Sequence, residues 1–63
     1  MTDRYMRLPE VIAITTLSES TIRRREREGA FPKRVRLGPA AVVWRESDIN
    51  RWIAEMAERS ASA

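Results

Sequence analysis

The spacing of apolar residues predicts two short helices near the start of the chain. Leu8, Val11 and Ile12 have the i, i+3, i+4 spacing of one buried helical face. Pro9 suits the first position of a helix, because its fixed φ and missing N–H cost nothing there. The β-branched pair Thr15-Thr16 then weakens the pattern. We therefore expect the first helix to start near Pro9 and to end at about this threonine pair.

The second helical segment carries start and stop signals of its own. Ser18 is a good N-cap, and Leu17 and Ile22 take the N′ and N4 positions of a hydrophobic staple. Gly29 is the natural residue just beyond the far end. These signals predict a helix over about Glu19–Glu28, joined to the first helix by only about three residues.

The pattern changes to strand-like alternation after Pro32. Val35 and Leu37 alternate with arginines, Gly38-Pro39 marks a turn, and the apolar run Val42–Trp44 follows. Alternation on both sides of a turn predicts a two-stranded β-hairpin. An extended loop is the alternative, but the alternation in both arms favours the hairpin.

The clearest amphipathic helix is predicted at the C-terminal end. Ile49, Trp52, Ile53 and Met56 fall at i, i+3, i+4 and i+7, after a polar stretch that supplies N-cap candidates and first-turn acids. The tail from Ser60 is small and uncapped, so we expect it to fray.

Together these elements predict a single domain over residues 1–63, with an ordered core of about 6–57. The expected fold class is mainly α with a small β-hairpin, as a winged helix-turn-helix: helix, turn, recognition helix, two-stranded wing and C-terminal helix. The inward positions predict one small core, formed by Leu8, Val11, Ile12, Leu17, Ile22, Phe31, Val35, Leu37, Val42, Trp44, Ile49, Trp52, Ile53 and Met56.

The composition narrows the function classes. The 63 residues include neither Cys nor His, which excludes a disulfide framework and a thiolate metal site and fits a reducing compartment. The sequence shows neither a signal-peptide core nor an apolar run that could span a bilayer. The Ser, Lys and carboxylate residues have no recognised catalytic spacing. We therefore expect a soluble, cytoplasmic protein that is not an enzyme, with no catalytic residues, metal, cofactor or membrane partner.

Positive charge is concentrated in one part of the chain. The 12 Lys and Arg against 9 Asp and Glu give a net charge of +3, yet seven of the basic residues fall within 23–36. On a helical wheel, Ser20, Arg24 and Arg27 lie opposite the inward-facing Ile22. Arginine and serine on the exposed face of a helix are suited to the major groove of DNA. A solvated face paired with neighbouring glutamates is the alternative.

Further basic residues precede the predicted wing or lie on it. Lys33, Arg34 and Arg36 are placed to reach phosphates or a minor groove, although a polar solvent face on a half-buried hairpin has the same alternation. Hydroxyl groups at the start of the second helix lie where backbone N–H groups favour phosphate. The predicted DNA-binding residues are Ser18, Ser20, Thr21, Arg23, Arg24, Arg27, Lys33, Arg34 and Arg36.

Five short motifs follow one another along the chain, from Arg7 to about Ala57. They are Arg7-Leu8-Pro9-Glu10-Val11-Ile12, Leu17-Ser18-x-Ser20-Thr21-Ile22-x-Arg24, Glu28-Gly29-x-Phe31-Pro32, Val35-x-Leu37-Gly38 and Val42-x-Trp44-x-Glu46-Ser47-Asp48-Ile49-x-x-Trp52-Ile53. This ordered succession resembles the AlpA family of prophage-type regulators. The resemblance implies a MerR-like winged helix, related to phage excisionases, that acts as a transcription activator or a recombination directionality factor. It also implies that the second helix and the wing meet DNA. The residues that match the family's recognition-helix motif are Ser18, Ser20, Thr21 and Arg24.

The chain departs from that family at two positions of the second helix. The family often has apolar residues where this chain has Arg25 and Glu26, which flank Ile22 on the buried side. Either the stem of Arg25 packs while its charged head reaches water, or both residues lie at a contact with a neighbouring protein copy.

The sequence therefore predicts a sequence-specific binder of double-stranded DNA, encoded by a prophage or an integrative element. We expect it to act as a transcriptional regulator or as an excisionase (recombination directionality factor). Its expected partners are DNA, further copies of itself on adjacent sites, and an integrase or RNA polymerase. The alternative is a protein-interaction adaptor that docks on an integrase or polymerase without specific DNA binding. A cationic membrane-surface helix is disfavoured, because the second helix offers only Ile22 as an apolar face.

Overall fold

The computed structural model describes residues 3–62, and over this range the chain forms three helices and a small antiparallel sheet. The mainly helical class predicted from the sequence is confirmed. In chain order the elements are β1 (Tyr5–Arg7), α1 (Leu8–Thr15), α2 (Glu19–Arg27), β2 (Val35–Arg36), β3 (Val42–Arg45) and α3 (Glu46–Ser62).

Helix α1 ends where the sequence predicts, at the threonine pair. Thr16 has the left-handed backbone conformation (φ 60°, ψ 14°), and its N–H donates to the carbonyl of Ile12 at 2.8 Å. The Thr15 hydroxyl donates to the carbonyl of Val11 at 2.6 Å and accepts the N–H of Leu17 at 3.3 Å. These contacts end α1 at Thr15. Residues 16–18 then form the turn that leads into α2.

Helix α2 begins and ends through the predicted signals. Ser18 is its N-cap, with a side chain that accepts the N–H of Thr21. Gly29 has a φ of +77°, and its N–H donates to the carbonyl of Glu26 at 3.2 Å. The next N–H, from Ala30, donates to the carbonyl of Arg25 at 2.8 Å. This pair of bonds is a Schellman motif, which ends α2 one residue earlier than Glu28.

The sheet has one more strand than the predicted two-stranded hairpin. The β2–β3 hairpin (residues 35–45) is confirmed, with Val35 opposite Val43, but β3 also pairs with β1, where Met6 lies opposite Trp44. The strand order is β1-β3-β2. The prediction missed β1 because three residues with a single buried position, Met6, carry too short an alternation to be recognised.

The core lies where the sheet meets the three helices. Six buried side chains form one cluster: Met6, Val11, Ile22, Phe31, Trp44 and Ile49. Partly buried residues pack against this cluster: Leu8, Ile12, Leu17, Val42, Trp52 and Ile53. Ten of these twelve residues come from the three helices, β1 and β3, and two, Leu17 and Phe31, come from connections.

The prediction that Val35 and Leu37 belong to the core was wrong. Leu37 is 58% exposed, because it lies beyond the end of β2 in the turn. Val35 pairs with Val43, which lies on the opposite face of β3 from Trp44, so Val35 is half-buried outside the cluster. Arg36 pairs with Val42 and therefore lies on the same face of the sheet as Trp44. Two buried residues, Met6 and Val43, were missing from the predicted set, and Met56 is half-buried outside the cluster.

The first turn of α3 is hydrogen-bonded to residues that precede β1. Asp3 accepts the Ser47 N–H at 3.2 Å and the Ser47 hydroxyl at 2.7 Å, while the N–H of Glu46 donates to the carbonyl of Arg4 at 2.8 Å. The hydrogen bond from the Ser47 side chain lowers the pKa of Asp3. At the other end, α3 is helical through Ser62 rather than frayed from residue 60, since no Gly or Pro interrupts it.

Candidate nucleic-acid interface

Helix α2 packs on the core through one apolar side chain and exposes the face opposite to it. Ile22 is its only apolar residue and is fully buried. On the opposite side of the helix, Ser20, Arg24 and Arg27 are exposed, and Arg23 is exposed on the flank. The face predicted to read DNA is therefore the face that α2 presents to solvent.

The hydroxyl residues at the start of α2 differ in their hydrogen bonds and in their exposure. The Ser18 Oγ accepts the Thr21 N–H at 3.3 Å, donates to the Thr21 Oγ1 at 2.9 Å and lies 3.3 Å from the Ser20 Oγ. Ser18 is thus committed to capping the helix, and Thr21 is half-buried beside it. Ser20 is exposed at the edge of the arginine face, and its hydroxyl does not cap the helix.

An ion pair ties α2 to the segment before β2. The Arg34 Nη2 donates to the Glu26 Oε1 at 2.6 Å, and the Arg34 Nε lies 3.1 and 3.2 Å from the two carboxylate oxygens. The backbone N–H of Arg34 donates to the Glu26 Oε2 at 2.9 Å. The side chains of Arg34 and Glu26 are only 23% and 12% exposed. The hydrogen bonds with Glu26 raise the pKa of Arg34, so the guanidinium stays charged.

This ion pair shows where the carboxylate of Glu26 lies. Glu26 lies outside the core cluster, and its carboxylate binds Arg34 of the same chain. The guanidinium of Arg34 also lies over the ring of Trp44, 5.1 Å from its centroid. Sequence reasoning missed this role of Glu26. The available signal was a carboxylate in place of an apolar residue, eight positions before an arginine.

The same ion pair lies in a shallow, open cleft between α2 and the β2–β3 hairpin. The cleft has a volume of about 410 Å³, and its lining consists of five cations and one carboxylate: Arg23, Glu26, Arg27, Lys33, Arg34 and Arg36. We call this surface the basic cleft. It brings together five of the nine predicted DNA-binding residues, from two segments of the chain.

The remaining predicted residues lie on α2 or at its N-cap, outside the basic cleft. Arg24 is exposed near the last turn, and Ser18, Ser20 and Thr21 lie at the N-terminal end. Arg23, although it lines the cleft, also forms an ion pair with Glu19 at 3.0 Å, with both side chains about half exposed. An exposed pair of this kind is worth only about 0.3–0.5 kcal/mol, so Arg23 can exchange Glu19 for a phosphate at little cost.

A second cleft, of about 620 Å³, separates the end of α2 from α3. Its lining mixes aromatic, apolar and charged side chains: Arg25, Gly29, Ala30, Phe31, Pro32, Asp48, Arg51, Trp52, Glu55, Met56 and Arg59. Phe31 packs edge-on against Trp52, with ring centroids 4.9 Å apart. Arg25 is half-buried and contributes to this lining, so the two predicted exceptions on α2, Arg25 and Glu26, point to different clefts.

The described residues form neither a metal site nor a membrane-spanning helix. No group of three or more His, Cys, Asp or Glu side chains that could hold a metal ion occurs within residues 3–62. Over the same described range, no helix combines the length and the apolar character that crossing a membrane requires.

The arrangement defines a class of protein. Two short helices joined by a tight turn, with a basic exposed face on the second and a small sheet beside it, are compatible with a small helix-turn-helix-like domain. The sequence profile of the family described as "Prophage CP4-57 regulatory protein (AlpA)" matches residues 4–58. The chain belongs to this AlpA family of phage regulatory proteins, which is consistent with a DNA-binding regulator.

A phage relative supports the same assignment. The "Uncharacterized protein ORF88" of Enterobacteria phage P4 is 42% identical to this chain over 52 residues, which cover 82% of the chain and 59% of the phage protein. The chain therefore spans about three fifths of the length of that relative. No solved structure matches the chain with statistical significance.

Proposed function

We propose that the chain is a sequence-specific double-stranded DNA-binding protein of a prophage or an integrative element. It acts as a transcriptional regulator or as an excision factor, without bond chemistry, metal or cofactor of its own. Helix α2 serves as the recognition helix, and the β2–β3 hairpin serves as a wing. The observation that carries the proposal is the basic cleft, where the exposed face of α2 and the residues around β2 share one concave cationic surface.

The exposed residues divide between reading bases and binding phosphates. Arg24 and Arg27, with Ser20, extend from the face of α2 opposite its buried anchor, and arginine pairs bidentately with guanine in the major groove. Lys33 and Arg36 lie on the far wall of the basic cleft, where they bind phosphates and carry no base specificity. This division predicts that the two groups have different mutational signatures.

Several copies of the chain act together in this proposal. A single module of this size covers about 600–1,000 Å² of protein surface on DNA, which limits the specificity of one copy. Cooperative binding to adjacent sites supplies the rest of the specificity. An integrase or an RNA polymerase is then the further partner, depending on whether the bound sites surround an attachment site or a promoter.

The test compares two arginine variants with a matched control. Arg24→Ala should lose about 1–3 kcal/mol of discrimination between the specific duplex and random DNA. Arg36→Ala should weaken binding to all sequences alike and reduce the slope of log K against log salt by about one. Arg51→Ala removes an exposed arginine of α3 outside the basic cleft and should change neither quantity. Fluorescence anisotropy titrations at several salt concentrations measure both.

Two outcomes would count against the assignment. Equal losses on every sequence from Arg24→Ala would remove α2 from the role of recognition helix. Equal effects of Arg24→Ala, Arg36→Ala and Arg51→Ala would show that the chain binds DNA only through its net charge, and the adaptor function would then be favoured.

A further inference from the structure

Glu26 is an unexpected residue in the basic cleft. It is the only carboxylate among the residues that line the cleft, and a negative charge there opposes the approach of DNA. Its side chain is 12% exposed, and both of its carboxylate oxygens accept hydrogen bonds from Arg34. The negative charge of Glu26 is therefore paired within the chain, with the guanidinium of Arg34.

The contact fixes the main chain as well as the side chain. The backbone N–H of Arg34 donates to Glu26, so the carboxylate holds the residue immediately before β2 in place. The rest of the connection between α2 and β2 has no regular secondary structure and is held in the same manner. The indole N–H of Trp52 donates to the carbonyl of Ala30 at 2.9 Å, and that of Trp44 donates to the carbonyl of Pro32 at 3.2 Å.

These three side chains attach the connection to three different elements. Trp52 belongs to α3 and Trp44 to β3, whereas Glu26 is the link to α2 itself. Lys33 precedes Arg34 directly, and Arg36 follows two residues later. Of the three side chains, Glu26 is thus the one that links the segment carrying both cations directly to α2.

We propose that Glu26 is a positioning residue for DNA binding, which acts through Arg34 to hold Lys33 and Arg36 at a fixed distance from α2. Helix and hairpin then contact DNA as one rigid unit, and the phosphate contacts of the hairpin set the register in which α2 reads bases. This inference rests on the proposed function. It assigns Glu26 and Arg34 to the geometry of the interface rather than to direct contact with DNA.

The glutamine variant separates positioning from charge. Glu26→Gln removes one negative charge from the basic cleft, so an account based on charge alone predicts tighter binding to every duplex. An amide of the same shape cannot accept the forked hydrogen bonds of a guanidinium through two oxygens. Positioning therefore predicts that the variant loses the phosphate contacts of Lys33 and Arg36, although its net charge is more positive.

The measured quantity is the salt dependence of binding to a random duplex. Each phosphate contact contributes about −0.9 to the slope of log K against log salt. Loss of two contacts makes the slope of Glu26→Gln shallower by about two, so that wild type loses about tenfold more affinity than the variant when salt rises from about 50 to 200 mM. Glu28→Gln is the matched control, since Glu28 is an exposed carboxylate at the end of the same helix, outside the basic cleft. Its slope should equal that of wild type.

A second variant covers the case in which Glu26→Gln does not fold. Arg34→Lys keeps the charge of the cleft and the contact of a cation with Glu26, but it loses the planar fork. It should show the same shallower slope. Folding of each variant is checked by circular dichroism before titration.

The outcomes distinguish this inference from the proposed function. Slopes of the folded variants that equal or exceed the wild-type slope overturn the positioning role and leave DNA binding intact. Wild-type protein that prefers no duplex over random DNA refutes sequence-specific binding, whereas the slopes on random duplex still test the positioning role. Wild-type protein that binds no duplex at all refutes both.

Discussion

The stability of α2 depends on Ile22, and this dependence can be measured. Ile22 is the only apolar residue of α2 and is fully buried. Ile22→Ala removes three carbon atoms worth about 0.8 kcal/mol each in transfer free energy, and the cavity left behind raises the cost to about 3–4 kcal/mol. Ile22→Val removes one carbon and should cost about 1 kcal/mol. A domain of 63 residues has a total stability of only about 3–9 kcal/mol.

Urea unfolding followed by tryptophan fluorescence measures these costs, because the buried Trp44 reports on the core. With a slope near 1 kcal/mol per molar urea for a small protein, the midpoint should fall by about 1 M for Ile22→Val and by about 3 M for Ile22→Ala. Ile14→Ala is the control, since Ile14 is 48% exposed on α1 and should cost little. Midpoints for Ile22→Ala and Ile14→Ala that agree within error would refute the anchoring role of Ile22.

Three further predictions concern the ends of the helices. Ser18→Ala removes the acceptor for the Thr21 N–H and should lower the free energy of unfolding by about 1 kcal/mol in urea titrations; an unchanged midpoint would argue against the cap. Thr16→Gly relieves a β-branched residue at φ 60° and should raise the free energy of unfolding by about 0.5–1 kcal/mol, after the greater freedom of glycine in the unfolded chain is counted. A lower urea midpoint would contradict this. The pKa of Asp3 is lowered in the folded chain by its bond to Ser47, so its contribution to stability is complete above its ordinary pKa and is lost as pH falls through the lower folded value, in the range below about pH 4. Asp3→Asn should therefore flatten the dependence of the melting temperature on pH in that range, and an acid limb as steep as that of wild type would exclude this role.

The helices of this chain were predictable because their signals are local. The cap at Ser18, the glycine at position 29 and the apolar spacing around Ile22 all act within a few residues, and the structure places the ends of α2 within one residue of the prediction. The exposed arginine face follows from the same spacing, since a helix with one buried anchor presents its other side to solvent.

The features that the sequence did not reveal depend on contacts between distant residues. Strand β1 exists because Met6 pairs with Trp44, and α3 is capped by Asp3 from the other end of the chain. The face of β2 that meets the core is set by its register with β3, which alternation alone does not specify. That register places Arg34 beside Trp44, and Glu26 pairs with it there. A carboxylate in place of an apolar residue on α2 was a hint of this pair, but it did not identify Arg34 as the partner.

Sequence-specific DNA binding is the central claim, and one competition experiment tests it most directly. Labelled DNA from around the gene of this protein, and from any nearby attachment site, is titrated with the wild-type chain in a gel-shift assay at near-physiological salt, with excess random duplex as competitor. Specific, cooperative binding predicts retarded species that appear in steps and survive the competitor. Binding that the random duplex removes at every protein concentration would contradict it.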